Sequence, residues 1–143
     1  MCLTLRSGIH AHRPYNDSNI RWKYMCRFKT RMFGVILTSP IYSHGRGGYL
    51  VGATYTAKND GGITEAKDIG FHVFVHKSDA EHRVANGESH HVLVKVRVSG
   101  FNKSGGFGVM SQDCETWNKM TILEVYNQQG KNITYRCKRK GKK

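Results

Sequence analysis

Long apolar runs are missing from this sequence. No stretch approaches the roughly 18 apolar residues of a membrane-spanning helix, so no membrane partner is expected. The opening residues, MCLTLRSGIHAHR, hold no apolar run of the length a signal peptide needs. The cytoplasm is the expected compartment. None of the four cysteines, Cys2, Cys26, Cys114 and Cys137, forms a C-x-x-C pair. That argues against a zinc ribbon or finger, and no metal site is expected. Disulfides are not expected without a secretory signal. The chain also lacks internal repeats and linker-like composition. Its 143 residues fit one domain. Residues 1–137 are expected to be globular and 138–143 a basic tail.

Acidic residues are few. Ten Asp and Glu face 23 Lys and Arg, a net charge of +13. Residues 1–60 carry +7, residues 61–129 carry −1 and residues 130–143 carry +7. Such asymmetry points to a patch and to a polyanionic partner. RNA, DNA and a phosphorylated nucleotide all meet that description, and an acidic protein is a further class. The tail, Lys138–Lys143 (KRKGKK), adds phosphate affinity of a non-specific kind. It also has the composition of a nuclear-localisation segment.

The clearest pattern runs from Arg21 to Arg31. Odd positions carry Arg21, Lys23, Arg27, Lys29 and Arg31, with Met25 the exception. Even positions carry Trp22, Tyr24, Cys26 and Phe28. A strand sends alternate side chains to opposite faces, so this period predicts a half-buried strand. Its aromatic face is expected on the core. Its cations are expected in a solvated row, spaced about 6.6 Å apart. A second amphipathic strand is expected within Glu88–Val98. There Val92, Val94, Val96 and Val98 alternate with His91, Leu93, Lys95 and Arg97. If the two strands pair, Lys95 and Arg97 would extend the patch.

Other strands are expected at Cys2–Leu5, before and after Gly34, at Phe71–His76, at Met120–Tyr126 and at Ile133–Cys137. Tyr49–Ala57 is also rich in strand formers. Ser78 with Glu81 three residues on is a capping box, and Asn86–Gly87 ends that short helix. Thr64–Asp68 reads as a helical turn, Asp113–Trp117 as a turn or helix, and Gly100–Gly108 as a loop. Together these predict an α+β fold: a mainly antiparallel sheet of about six to eight strands with one short helix.

Two glycine-rich segments suit anion contact. One spans Ser43–Tyr49, with Arg46 as its cation and Tyr49 as a stacking ring. The other spans Lys103–Gly108, with Lys103 and Phe107 in the same roles. Glycines let backbone amides approach phosphates, and an aromatic ring can stack on a base. Neither segment has the spacing of a P-loop or a dinucleotide fingerprint, so no cofactor is expected. Among eight histidines, His72 and His76 share a predicted strand face. A histidine pair near lysines is a candidate for acid–base cleavage of RNA. His90 and His91, as strand neighbours, are expected to point to opposite faces.

Cys2–Leu3–Thr4, the Gly70–Phe71–His72–Val73–Phe74 strand and the Asp79–Ala80 helix start together resemble small phage and bacterial proteins of uncharacterised function. That resemblance implies a phage-type accessory or counter-defence role, which would place the protein in a host cytoplasm. The strand–helix order is loosely similar to ADP-ribosyltransferase-like folds, with Glu124 on a late strand as the catalytic candidate. The Arg and Ser-Thr-Ser elements of those enzymes are missing. The leading expectation is a basic, non-enzymatic polyanion binder. A small nuclease, phosphodiesterase or transferase is the alternative, and a basic inhibitor of an acidic protein is the third.

Overall fold

The computed structural model describes residues 3–5, 14–31, 34–38, 49–56, 71–87, 90–107 and 112–137. Among these are seven strands, one α-helix and a final 3-10 turn. The strands are β1 (Leu3–Leu5), β2 (Ile20–Thr30), β3 (Gly34–Thr38) and β4 (Thr54–Thr56), then β5 (Phe71–Phe74), β6 (His91–Phe107) and β7 (Gln112–Tyr126). The helix α1 spans Lys77–Ala85, and the 3-10 turn spans Thr134–Cys137. The expected α+β fold, with its antiparallel sheet and single short helix, is the fold observed. No described helix is long and apolar enough to cross a membrane.

All strand pairings are antiparallel. The long β6–β7 hairpin is the spine. β2 joins β6 along Ile20–Cys26, and β5 joins β7 along Phe71–Phe74. One further pairing, Trp22 with Phe74, links β2 to β5. Strands β2, β6, β7 and β5 thus close a ring, which leaves the sheet with an inside and an outside.

The valine alternation decides which face of β6 turns inward. Val92, Val94, Val96 and Val98 are buried with Met25, Val73, Met120 and Ile122 in the main core. A second cluster forms on the outside, where α1 lies on the sheet. Ala80 and Val84 of the helix pack there on Phe74, Leu93 and Cys114, with Trp22, Tyr24 and Tyr126 at the margin. Burying both sheet faces is why β2 carries no solvated side along its middle.

Several local expectations differ from what forms. Gly100–Gly108 is strand nearly throughout, because β6 continues to Phe107. Gly100 takes a positive φ of 70°, and the ladder shifts register between Phe101 and Lys103. The glycines accommodate a bulge rather than ending the strand. A Cβ on Gly100 would also lie 2.9 Å from the Cβ of Asn118. Gly100→Ala is therefore expected to cost about 1 kcal/mol or more. Urea denaturation should show a lowered midpoint with an unchanged slope.

Asp113–Trp117, expected as a turn or helix, belongs to β7. His76 is the N-cap of α1 and its side chain makes no cap bond, so Ser78 lies inside the helix and no capping box forms. The helix does end at Asn86, as expected. Ile133–Cys137 is not a strand. Asn132 Oδ1 accepts from the Thr134 amide at 2.9 Å and from Thr134 Oγ1 at 2.5 Å. Such local side-chain bonds compete with a ladder, and the chain turns instead, burying Ile133 and Cys137. Thr64–Asp68 and the tail lie outside the described residues.

Candidate nucleic-acid interface

The five cations of Arg21–Arg31 do not form one solvated row. Register decides this: Arg21 pairs with Val96 and Lys23 with Val94, so they share the inward face of those valines. Arg21 is 0% exposed. Its Nε donates to Glu115 Oε1 at 2.5 Å and its Nη1 to the Ser18 carbonyl at 2.7 Å. Glu115 also accepts from Trp117 Nε1 at 2.9 Å and from the Tyr15 amide at 2.7 Å. This network pins residues 15–21 against β7, and its two charged groups, Arg21 and Glu115, are fully buried.

Lys23 reaches beneath β5 and donates from Nζ to the His72 carbonyl. Desolvation by burial pushes its pKa down to about 8. Arg27 is half-buried, and its guanidinium hydrogen-bonds the buried Cys137 thiol, whose pKa burial raises. Only Lys29 and Arg31, at the β2–β3 end, are exposed. The expected amphipathic strand is present, but Arg21 and Lys23 of its basic face point in, and Trp22 and Tyr24 of its aromatic face pack at the margin of the cluster under the helix.

The outward face of the β6–β7 hairpin carries a further group of accessible cations. Lys95 pairs with Trp22 and with Glu124, and all three share that outward face. Arg97, two residues on, is exposed on the same side. Lys119, exposed and opposite Ser99, continues the line diagonally. Lys77, exposed at the start of α1, extends it the other way. Its Nζ lies 5.2 Å from the Trp22 ring centre and 5.4 Å from that of Tyr126. The two rings are 6.4 Å apart. Lys77, Lys95, Arg97 and Lys119 thus form a line, with Trp22 and Tyr126 exposing part of their rings at one end.

One acid enters the line. Glu124 Oε1 lies 3.3 Å from Lys95 Nζ. It accepts from the Tyr126 hydroxyl at 3.0 Å, and Oε2 accepts from Asn132 Nδ2 at 3.2 Å. The Tyr126 hydrogen bond, followed by that of Lys95, holds the Glu124 carboxyl below its usual range. Glu124 is a bound carboxylate and does not stand alone as a catalytic base.

Comparison with family models, curated proteins and solved structures found no match.

The other candidates are scattered. His72 is a half-buried residue of β5, whereas His76 lies past the end of that strand and is exposed at the head of α1. They do not share one strand face. Tyr49 meets the Tyr55 ring edge-on at 4.8 Å and the Phe71 ring at 6.1 Å. It packs against the core and is not presented as a platform for a base. Lys103 pairs in register with Thr116, and Phe107 with Leu3 and Gln112. The second glycine segment is therefore strand, whereas of the first only Tyr49 lies among the described residues. Arg46 lies outside the described residues.

Lys77, Lys119, Trp22 and Tyr126 were missed as surface contacts. For Lys119 the signal was parity. Met120 and Ile122 point inward, so Lys119 points out. Cys26, His90 and His91 were missed as a group. Their ligand-capable atoms all lie within 4.8 Å of one another. Sequence spacing does not reveal this, because Cys26 and His91 meet only through the β2–β6 register.

Proposed function

We propose that this protein binds single-stranded nucleic acid along the outward face of the β6–β7 hairpin. The observation that carries the reading is the line of Lys77, Lys95, Arg97 and Lys119 beside Trp22 and Tyr126. A net charge of +13 supplies the long-range attraction. Cations at strand spacing track a phosphate backbone, and partly exposed rings offer a surface for bases. A sheet with two or more aromatic side chains beside basic ones is a recurrent solution for single strands. Recognition of this kind is sequence-tolerant and strongly salt-dependent. No catalytic step is needed, and the proposed role is binding.

The test is binding of a fluorescein-labelled 20-nucleotide single-stranded RNA across a salt series. For an Arg97→Ala/Lys119→Ala variant, removing two phosphate contacts should lower the magnitude of the log Kd against log salt slope by about 1.4. A Lys29→Ala/Arg31→Ala variant should leave the slope nearer that of the wild type. Binding that ignores Arg97 and Lys119 would remove this face from consideration. Cleaved probe would move the protein into the enzyme class.

A further inference from the structure

We infer that Cys26, His90 and His91 form a zinc-binding site on the outer side of the sheet, below the C-terminal end of α1. This is independent of the nucleic-acid face.

The backbone builds the group. Cys26 and His91 are register partners on β2 and β6, so both side chains leave the same face. In a regular strand His90 would point the other way. His90 instead lies in the turn just before β6. Its carbonyl accepts from the Arg27 amide at 2.9 Å, which holds the turn against β2. The two imidazoles lie with ring centres 4.8 Å apart, inclined at 66°. The thiol and one nitrogen from each ring fall within 4.8 Å of one another. Tetrahedral zinc, with bonds of about 2.3 Å to sulfur and 2.0–2.1 Å to nitrogen, sets its donors about 3.5 Å apart. Ring rotations that carry the donor nitrogens inward by about 1.3 Å close the difference.

The surroundings hold His91 in place. A Cβ on Gly87 would sit 1.9 Å from His91 Nδ1, so the loop after α1 has left the space of a side chain to this ring. Gln128 fixes that loop, donating from Nε2 to the Gly87 and Val84 carbonyls at 3.2 Å each. Phe28 lies 5.5 Å from His90 and Tyr24 lies 6.1 Å from His91, centre to centre. Phe28 is 45% exposed and forms an apolar lip.

The donor set selects the metal. One thiolate and two imidazoles are soft to borderline ligands, which suit zinc and not magnesium or calcium. Cys26 is buried and the two histidines are half-buried. Three protein donors with one side open match zinc sites that keep a fourth position for water or a small ligand. Binding takes the metal as Zn²⁺, and the Cys26 thiol releases its proton to solvent.

Cobalt(II) is the probe, titrated into reduced, metal-free full-length protein. The expected result is saturation at one equivalent. Tetrahedral visible bands and a near-ultraviolet sulfur-to-cobalt charge-transfer band should appear, and one equivalent of zinc should erase both. Cys26→Ser should lose the charge-transfer band, and it, His90→Ala and His91→Ala should each weaken zinc binding at least tenfold. Cys114→Ser, which alters a thiol in the cluster under the helix, should keep the band. Gly87→Ala should weaken the site by displacing His91, with the far-ultraviolet circular dichroism unchanged. Absence of the charge-transfer band in the wild type would overturn the assignment. So would a band that survives Cys26→Ser, because the metal would then sit on another cysteine.

Discussion

Glu115→Ala is expected to destabilise the protein by about 3–5 kcal/mol, the usual cost of stripping one partner from a buried ion pair. The variant leaves the Arg21 guanidinium, 0% exposed, without its counter-charge. It also leaves Trp117 Nε1 and the Tyr15 amide without the oxygens that accept from them. Total stabilities run from about 5 to 15 kcal/mol, so much of the folded margin would go. The Lys95–Glu124 pair is the natural contrast. It has a similar charge pairing, but both side chains are about one-third exposed, 31% and 34%. Exposed pairs contribute about 0–1 kcal/mol, and Glu124→Gln should be nearly silent. Arg21→Met, Glu115→Met and their double variant form a cycle with the wild type in which apolar volume is kept and charge is removed. The double variant should lose much less than the sum of the single variants. Urea midpoints measure all of these proteins. A Glu115→Ala loss of under about 1 kcal/mol would mean that water reaches the pair.

Lys23→Met should stabilise the fold at neutral pH by about 2 kcal/mol. The Lys23 pKa falls from 10.5 to about 8 because folding removes water from the ammonium group. At about 1.4 kcal/mol per pH unit, that is about 3.5 kcal/mol of strain carried by the charged form. Partial exposure and the lost bond to the His72 carbonyl reduce the gain. The pH dependence follows from where the proton sits. Below pH 8 both folded and unfolded lysine are charged, and the folded state bears the full penalty. Between pH 8 and 10.5 the folded amine is neutral while the unfolded one still holds a proton. The wild type therefore gains stability with rising pH across that window. The advantage of Lys23→Met should shrink there and be nearly gone at pH 10.5. Paired urea titrations at pH 7 and pH 10 isolate the difference. A constant gap between the two proteins would mean that Lys23 keeps its water.

Alternation was legible in the sequence, but its direction was not. The periods within Arg21–Arg31 and Glu88–Val98 located two strands and set the valines of β6 on one face. The same rule applied to β2 placed Arg21 and Lys23 in solvent, because a basic side is read as a wet side. Met25 is the residue that shows otherwise. It is the apolar member of the odd series and is fully buried, so Arg21 and Lys23, which share its face opposite the β6 valines, face inward with it. Arg21 can follow it because Glu115, 94 positions away, supplies the counter-charge. No local pattern announces a partner so distant. The basic face that survives uses Lys95 and Arg97, which the sequence offered, with Lys77 and Lys119 added by packing and register. The Cys26–His90–His91 group was hidden for the same reason: strand pairing assembles it, and the turn at His90 undoes the alternation that would keep neighbouring histidines apart.

The β6–β7 hairpin also sets an order of events during synthesis. Strands β1 and β2 pair with β6, while β4 and β5 pair with β7. β3 pairs with β2, which is made before it, and β5 adds one bridge to β2. Until β6 and then β7 leave the ribosome, β1, β2, β4 and β5 lack their main partners. At about 5–20 residues per second, the roughly 75 residues between Arg21 and its β6 partner Val96 keep that strand waiting for roughly 4–15 seconds. Trp22, Tyr24 and Phe28 are open to water and to other chains throughout. The cations between them repel one another and like copies over the same interval. A charge pattern that is buried in the finished protein thus acts first as a solubility device for the nascent one.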